Sequence, residues 1–297
     1  MIERLRGLTP NISAAKIPCR QGDVAMTMPA SRIRRLVAAG LAIAAIMLFC
    51  AVPPPAAAQG QDAANASNNP LTPKLTLVLQ NYTMPLVQGH GSRWSDDAEG
   101  RLYVPFKLGD VQNMLRVYAP IETVPTVPQG GGGTDFGLGD WTVFDLVIGK
   151  SGGLEYGAGP LVVLPSASHT TMGSGKWQAG AATILMQSWS WGLTGAITYY
   201  SHSFGGDPSR PTVQSLTVQP LVLYNLDHGY YLRSSGIWVL AFGTNPSYIP
   251  IGLGFGRVWK LPGGATLNLH FEPQYSVYHS KTGAPLWQVL TGVIVQF

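Results

Sequence analysis

From Ala265 to Val277 the chain alternates between apolar and polar residues with a period of two. Ala265, Leu267, Leu269, Phe271, Pro273, Tyr275 and Val277 fall on one face, and Thr266, Asn268, His270, Glu272, Gln274 and Ser276 on the other. That period belongs to a β-strand with one oily and one wet face. A further strand closes the sequence with Trp287, Val289, Thr291, Val293, Val295 and Phe297 on one side. That strand is amphipathic too, and it ends on an aromatic residue.

The same patterning predicts twelve strands: 74–82, 101–108, 113–121, 140–149, 154–165, 177–186, 189–203, 213–226, 230–243, 249–260, 265–278 and 286–297. Most approach or exceed the roughly 9–11 residues that a tilted strand needs to cross a bilayer. Tight turns are expected at 109–112, 150–153, 187–188, 227–229 and 261–264. Longer connections are expected at 83–100, 122–139, 166–176, 204–212, 244–248 and 279–285. Short and long connections alternate, as they do in barrels with short periplasmic turns and longer external loops. An even strand count then puts both barrel ends on the periplasmic side.

Parity assigns the faces. Leu75, Leu77 and Leu79 oppose Lys74, Thr76 and Gln80. Leu102, Val104 and Phe106 oppose Arg101, Tyr103 and Lys107. Trp189, Trp191, Leu193, Ile197 and Tyr199 form an oily side opposite Ser190, Thr194, Thr198, Tyr200 and His202. Trp189, Trp191, Trp259 and Phe297 are expected at the periplasmic rim, and Tyr199 and Trp287 at the outer one, as two interfacial aromatic belts. Two strands break the pattern. Arg257 shares a side with Ile251, Leu253 and Phe255, which calls for either a bulge or a snorkelling side chain. Residues 177–186 are mostly Ala and Gly and show no clear face.

Composition fits this reading. Charged residues are 11% of the 297, well below the roughly 25% of soluble domains. The net charge of +4 is a property of the N-terminal region. Residues 1–58 hold 7 of the 19 Lys and Arg and 2 of the 15 Asp and Glu, leaving 12 and 13 in the rest. Nothing in the remainder argues for nucleic-acid binding. Arg32, Arg34 and Arg35 precede an apolar run from Leu36 to Val52. Ala56, Ala57 and Ala58 then supply a small-residue cleavage site, so residues 1–58 read as an N-terminal extension and signal peptide, with Met26 or Met28 as the start. Both cysteines, Cys19 and Cys50, lie there, which excludes a disulfide framework or thiolate site from the mature chain. Residues 59–73, polar and rich in Asn, Ala and Pro, read as a flexible linker, and 74–297 as the barrel.

Candidate chemistry is sparse. The run Gly130–Gly133 lacks a Walker pattern. None of His90, His169, His202, His228, His270 and His279 has a partner at metal-ligand spacing, and no cofactor or metal is expected. His90 with Ser92, and His202 with Ser203, are the nearest approach to a hydrolytic pair, but the second pair points to opposite faces. Parity places Arg101, Lys107, Arg116, Asp145, Glu155, His202, Arg233, His270 and Glu272 inward. Of these, Arg101, Arg116, Asp145, Arg233, His270 and Glu272 are the lumen-lining candidates, as paired charges or as a selectivity-determining constriction.

Several segments also resemble a known family. They are Gly137-Leu138-Gly139-Asp140, Gly157-x-Gly159-Pro160, Gly175-Lys176-Trp177-Gln178-x-Gly180, the run 218–226 (Val-Gln-Pro-Leu-Val-Leu-Tyr-Asn-Leu) and the run 249–261. In order and spacing they resemble the outer-membrane barrels described as meta-pathway of phenol degradation proteins, also called neuromedin-U-like transporters. The ending Val295-Gln296-Phe297 departs from the Phe-Pro ending of some members but keeps the terminal aromatic, and an amphipathic last strand with that ending resembles the assembly signal of bacterial outer-membrane β-barrels. The resemblance implies a barrel in the outer membrane that passes small compounds, aromatic or apolar ones included, and no catalytic residue.

The sequence therefore predicts an all-β protein, a transmembrane antiparallel up-and-down β-barrel of about twelve strands. It is expected to be a non-enzymatic channel or transporter in the cell outer membrane. Its expected partners are membrane lipid, a small solute and, through the strand ending at Phe297, the barrel-assembly machinery. The alternatives are a structural or surface-exposed barrel without transport and a membrane lipid hydrolase. On this reading Leu269→Arg impairs assembly, while Glu272→Gln alters passage at most.

Overall fold

The computed structural model describes residues 58–89, 93–126 and 133–297, with side chains from residue 62 onward. The signal segment, His90, Ser92 and most of the Gly130–Gly133 run lie outside the described residues. The strands are β1 (Thr76–Val87), β2 (Ser95–Leu108), β3 (Val111–Pro125) and β4, interrupted between Thr134–Leu138 and Trp141–Ser151. They continue as β5 (Leu154–Leu164), β6 (Lys176–Trp189), β7 (Gly192–Gly206) and β8 (Gln214–Asn225). The last four are β9 (Tyr230–Ser234 and Trp238–Ala241), β10 (Ser247–Gly252 and Gly254–Lys260), β11 (Thr266–Ser280) and β12 (Pro285–Gln296).

Each strand pairs antiparallel with the next, and β1 pairs with β12 from Thr76↔Gln296 to Thr83↔Val289. The result is a closed twelve-stranded antiparallel barrel, with the short segment Thr134–Leu138 paired to β3 alone. The breaks in β9 and β10 do not shift the register: Arg233↔Gly254 and Val239↔Tyr248 lie on one continuous ladder. Tight turns follow β2, β4, β6, β8 and β10, at the same end as the start of β1 and the end of β12. The β6–β7 turn falls at Ser190–Trp191, a few residues beyond its expected place. At the opposite end β1 and β2 run further than predicted, into the first long connection.

β11 follows its sequence pattern without error. Asn268, His270, Glu272, Gln274 and Ser276 are buried, and Leu269, Phe271, Tyr275 and Val277 are exposed. The interior, however, has two arcs. Along β11, β12, β1 and the upper half of β2 it is polar, with Thr76, Gln80, Arg101, Gln274, Gln288 and Gln296 buried. Along β3 to β8 it is apolar, filled by Met114, Phe144, Leu146, Ile184, Met186 and Leu193 among others. Parity inverts on that second arc. Leu193, Ile197 and Tyr199 belong to the interior core, whereas Tyr200, His202 and Phe204 are exposed on the outer face. Tyr199 is therefore not a belt residue. Its hydroxyl meets that of Tyr118 at 3.1 Å, and its ring packs on Phe144. β6 also gains a face, with Gln178, Ala182, Ile184 and Met186 inward.

Arg257 needs no bulge, since Phe255↔Phe271 and Lys260↔Thr266 keep one register through it. It lies on the outer face, stacked 4.5 Å above Tyr230 and 5.0 Å from Trp259, and donates to the Tyr230 hydroxyl at 3.0 Å. A guanidinium laid along rim aromatics is the snorkelling arrangement. The inward glycines of the same strand clear space for bulk from its neighbours. A β-carbon at Gly256 would strike the Tyr231 ring, and one at Gly254 would strike the Phe271 carbonyl and meet Glu272 at 2.6 Å.

Residues 59–73 do not form a linker. Ala58–Asn68 is a helix, α1, and the following turn carries the chain to β1. Helix-forming Ala and Gln fill it, and Pro70 prevents its continuation. The Thr72 hydroxyl donates to the Ala66 carbonyl at 2.7 Å, and Gln296 donates to the same oxygen at 3.3 Å. The polar side chains that suggested a solvated linker are spent on the barrel interior. Asn225 donates to Asn65 at 2.9 Å, Asn65 to the Trp189 carbonyl at 3.2 Å, Asn69 to Glu155 at 2.7 Å and Asn268 to Asn68 at 3.1 Å. Ala64 and Leu71 join the apolar core. The segment is a plug seated at the tight-turn end.

Candidate functional site

The middle of the barrel holds a bonded polar cluster built around Glu272, which is fully buried. One carboxylate oxygen accepts from Arg233 Nε at 3.0 Å and from the Ser235 hydroxyl at 2.6 Å. The other accepts from the Ser235 amide at 2.8 Å. Arg233 also donates to the Ser235 hydroxyl at 2.6 Å. The pause in β9 after Ser234 is what frees the Ser235 amide for this bond, since an unbroken ladder would commit it to a neighbouring strand. A buried carboxylate with these charge-assisted partners is well compensated.

Arg101 forms a second ion pair. Its Nε and Nη2 both approach Glu99 Oε2 at 2.6 Å, and Gln80 donates to the same oxygen at 3.1 Å. Asp97 and Glu122 are direct cross-strand partners nearer the loop end. The interior is thus acidic towards the loops, basic at mid-height and lined with asparagine at the plug.

Arg116 is different. It is 0% exposed, and its guanidinium carbon lies 3.6 Å over the Tyr103 ring, with Tyr118 and Phe144 at 5.6 and 5.5 Å. Neither Nε nor Nη1 has a hydrogen-bond partner, and no ion pair reaches it among the described residues. His270, also buried, has no partner at either ring nitrogen. Arg101, Arg116, Arg233 and His270 share a cavity of about 70 Å³ with Asn68, Gln219 and apolar walls. Such a space has room for about two waters or one small ion, since a liquid water occupies about 30 Å³.

The structure brings together five of the six sequence candidates, Arg101, Arg116, Arg233, His270 and Glu272, in the interior. Asp145 is a correction. It lies between Phe144 and Leu146, both buried in the core, and pairs across β3 with Leu115, so it takes the outer parity. On the apolar arc the inward residues are the bulky ones, and charge is a misleading marker. Sequence reasoning put Tyr103 on the face of Arg101 but missed Glu99, Ser235, Tyr118, Tyr199 and the plug asparagines. Parity with Arg101 could have found Glu99. No local pattern marks Ser235 or the plug. His202 and Ser203 do point to opposite faces, exposed and buried respectively.

These features define a class: a closed twelve-stranded up-and-down barrel with a filled interior and an N-terminal plug. The sequence matches no protein-family model and no curated protein. The family resemblance therefore stands on the quoted motifs alone. Among solved structures the fold is similar to an outer membrane channel from Pseudomonas putida F1, with a TM-score of 0.57 and 13% identity, covering 77% of this chain and 97% of that one. A fainter likeness, with a TM-score of 0.37 and 13% identity, is to outer membrane phospholipase A from Escherichia coli, covering 81% of this chain and 99% of that one. The first likeness bears on fold alone, and the second carries no weight.

Proposed function

We propose that the protein is an outer-membrane channel through which small solutes pass once the plug shifts, and that it performs no chemistry on them. The observation that carries this reading is the inside-out polarity of β11, β12, β1 and β2, a buried polar interior behind an exposed apolar surface. Leu75, Leu79, Leu102, Phe255, Phe271 and Val277 are exposed on that surface, which suits a hydrocarbon solvent. The likeness to an outer membrane channel agrees with it. Aromatic or apolar compounds, suggested by the family resemblance, would find matching walls on the β3–β8 arc. Conductance of the purified full-length barrel in planar bilayers tests the proposal. Discrete low-conductance events are expected, and silence across a wide voltage range would refute it. The filled interior favours a second reading, a structural barrel without transport, which predicts that silence.

The lipid-facing assignment has its own test. Leu269 neighbours Arg257 on the outer face, so Leu269→Arg sets a second guanidinium near the rim and costs about 0–1 kcal/mol. Phe271 lies further from the turn, and Phe271→Arg is expected to cost about 2–4 kcal/mol. Reversible unfolding in lipid vesicles measures both, and equal costs would contradict a membrane on that face.

A further inference from the structure

We infer that Arg116 anchors an internal binding site for a small monocarboxylate anion. Three guanidinium groups line the mid-barrel cavity, and only two have carboxylate partners: Arg101 with Glu99 and Arg233 with Glu272. Arg116 remains, fully buried, over the face of Tyr103. A buried unpaired charge is far costlier than a paired one, and aromatic faces offset only a part of it. Its guanidinium carbon lies over the Tyr103 ring, and its Nε and Nη1 are buried without a hydrogen-bond partner. A planar carboxylate is the group that pairs with two such donors at once. His270, with no partner on its ring, can supply a neutral N–H to the same guest.

The remaining walls fix the rest of the guest. Ile197, Leu221 and Ile294 also line the cavity, which suits a short alkyl group on the carboxylate. The space of about 70 Å³ limits its size. One uncompensated positive charge matches a monoanion, and a divalent phosphate or sulfate would be over-charged there.

This inference deepens the channel reading by naming a solute class, yet the two fail separately. Acetate is titrated into the purified full-length barrel in detergent micelles by calorimetry, with ionic strength held by sodium sulfate. Saturable binding of one acetate per barrel is expected, with chloride several-fold weaker. Arg116→Met should weaken acetate by about tenfold or more, the loss of a charge-assisted bond. Arg116→Lys, which keeps the charge but not the fork, should fall between. Heat-modifiable gel mobility checks that each variant is folded. If neither is, the titration of the unaltered protein decides by itself. No saturable acetate binding, or chloride binding equal to acetate, overturns the site. Conductance without acetate binding would then leave the channel reading standing, and acetate binding in a silent barrel would support the site while refuting the channel.

Discussion

Replacing Glu272 by glutamine is expected to destabilise the barrel by about 3–5 kcal/mol, the cost of leaving a buried partner charge uncompensated. The sequence alone suggested a mild effect on passage, because Glu272 looked like one wet residue among several on β11. The structure makes it the hub of Arg233, the Ser235 hydroxyl and the Ser235 amide, at 0% exposure. Glutamine keeps the shape, but its amide group replaces an acceptor oxygen with a donor. It leaves the Arg233 guanidinium charged and without its carboxylate in a small interior cavity shared with Arg101, His270 and Arg116. Because the Ser235 amide is released from the ladder where β9 pauses, its bond to Glu272 also helps hold that pause in shape. Urea unfolding in vesicles gives the cost. The double variant Glu272→Gln with Arg233→Met should recover much of it, since both charges are then gone. A single-variant cost below about 1 kcal/mol, or no recovery in the double variant, would show that the ion pair is incidental.

The strands, the turn asymmetry and the polar arc were legible because each depends on residues near one another in sequence. Alternation from Ala265 to Val277 translates directly into buried and exposed faces, since the interior there is polar and the exterior oily. On β6 and β7 the same rule failed for a physical reason. Ile184, Met186, Leu193 and Ile197 pack against one another inside, so both faces are largely apolar and parity carries no sign. Asp145 was misplaced by the same cause. The plug was illegible for the converse reason. Asn65, Asn68 and Asn69 resemble a solvated linker because their partners, Asn225, Asn268 and Glu155, lie across the barrel and far along the chain. Arg116 was legible as an inward cation, but its lack of a carboxylate was not, because that depends on Glu99 and Glu272 each turning to another arginine.

Excising residues 58–71 is expected to raise single-channel conductance on the order of tenfold, moving a filled interior towards an open one. The helix and its turn occupy the tight-turn end, and most of their hold on the wall is polar. Such bonds can be exchanged for water as the segment leaves, whereas the packing of Ala64 and Leu71 cannot be replaced in that way. Leu71 is the main apolar anchor, and Gly157 makes its seat, since a β-carbon there would come within 2.9 Å of Leu71 Cδ2. A barrel closed all round by its own ladder does not need the plug for wall integrity, so the truncated chain should still show heat-modifiable mobility. A reversible version separates opening from damage. Residues 59–297 contain no cysteine, and the side chains of Asn65 and Asn225 meet at 2.9 Å. Asn65→Cys with Asn225→Cys should hold conductance low when oxidised and release it on reduction. Conductance indifferent to both excision and cross-linking would mean that solutes do not pass through the space the plug fills, and the structural reading would then prevail.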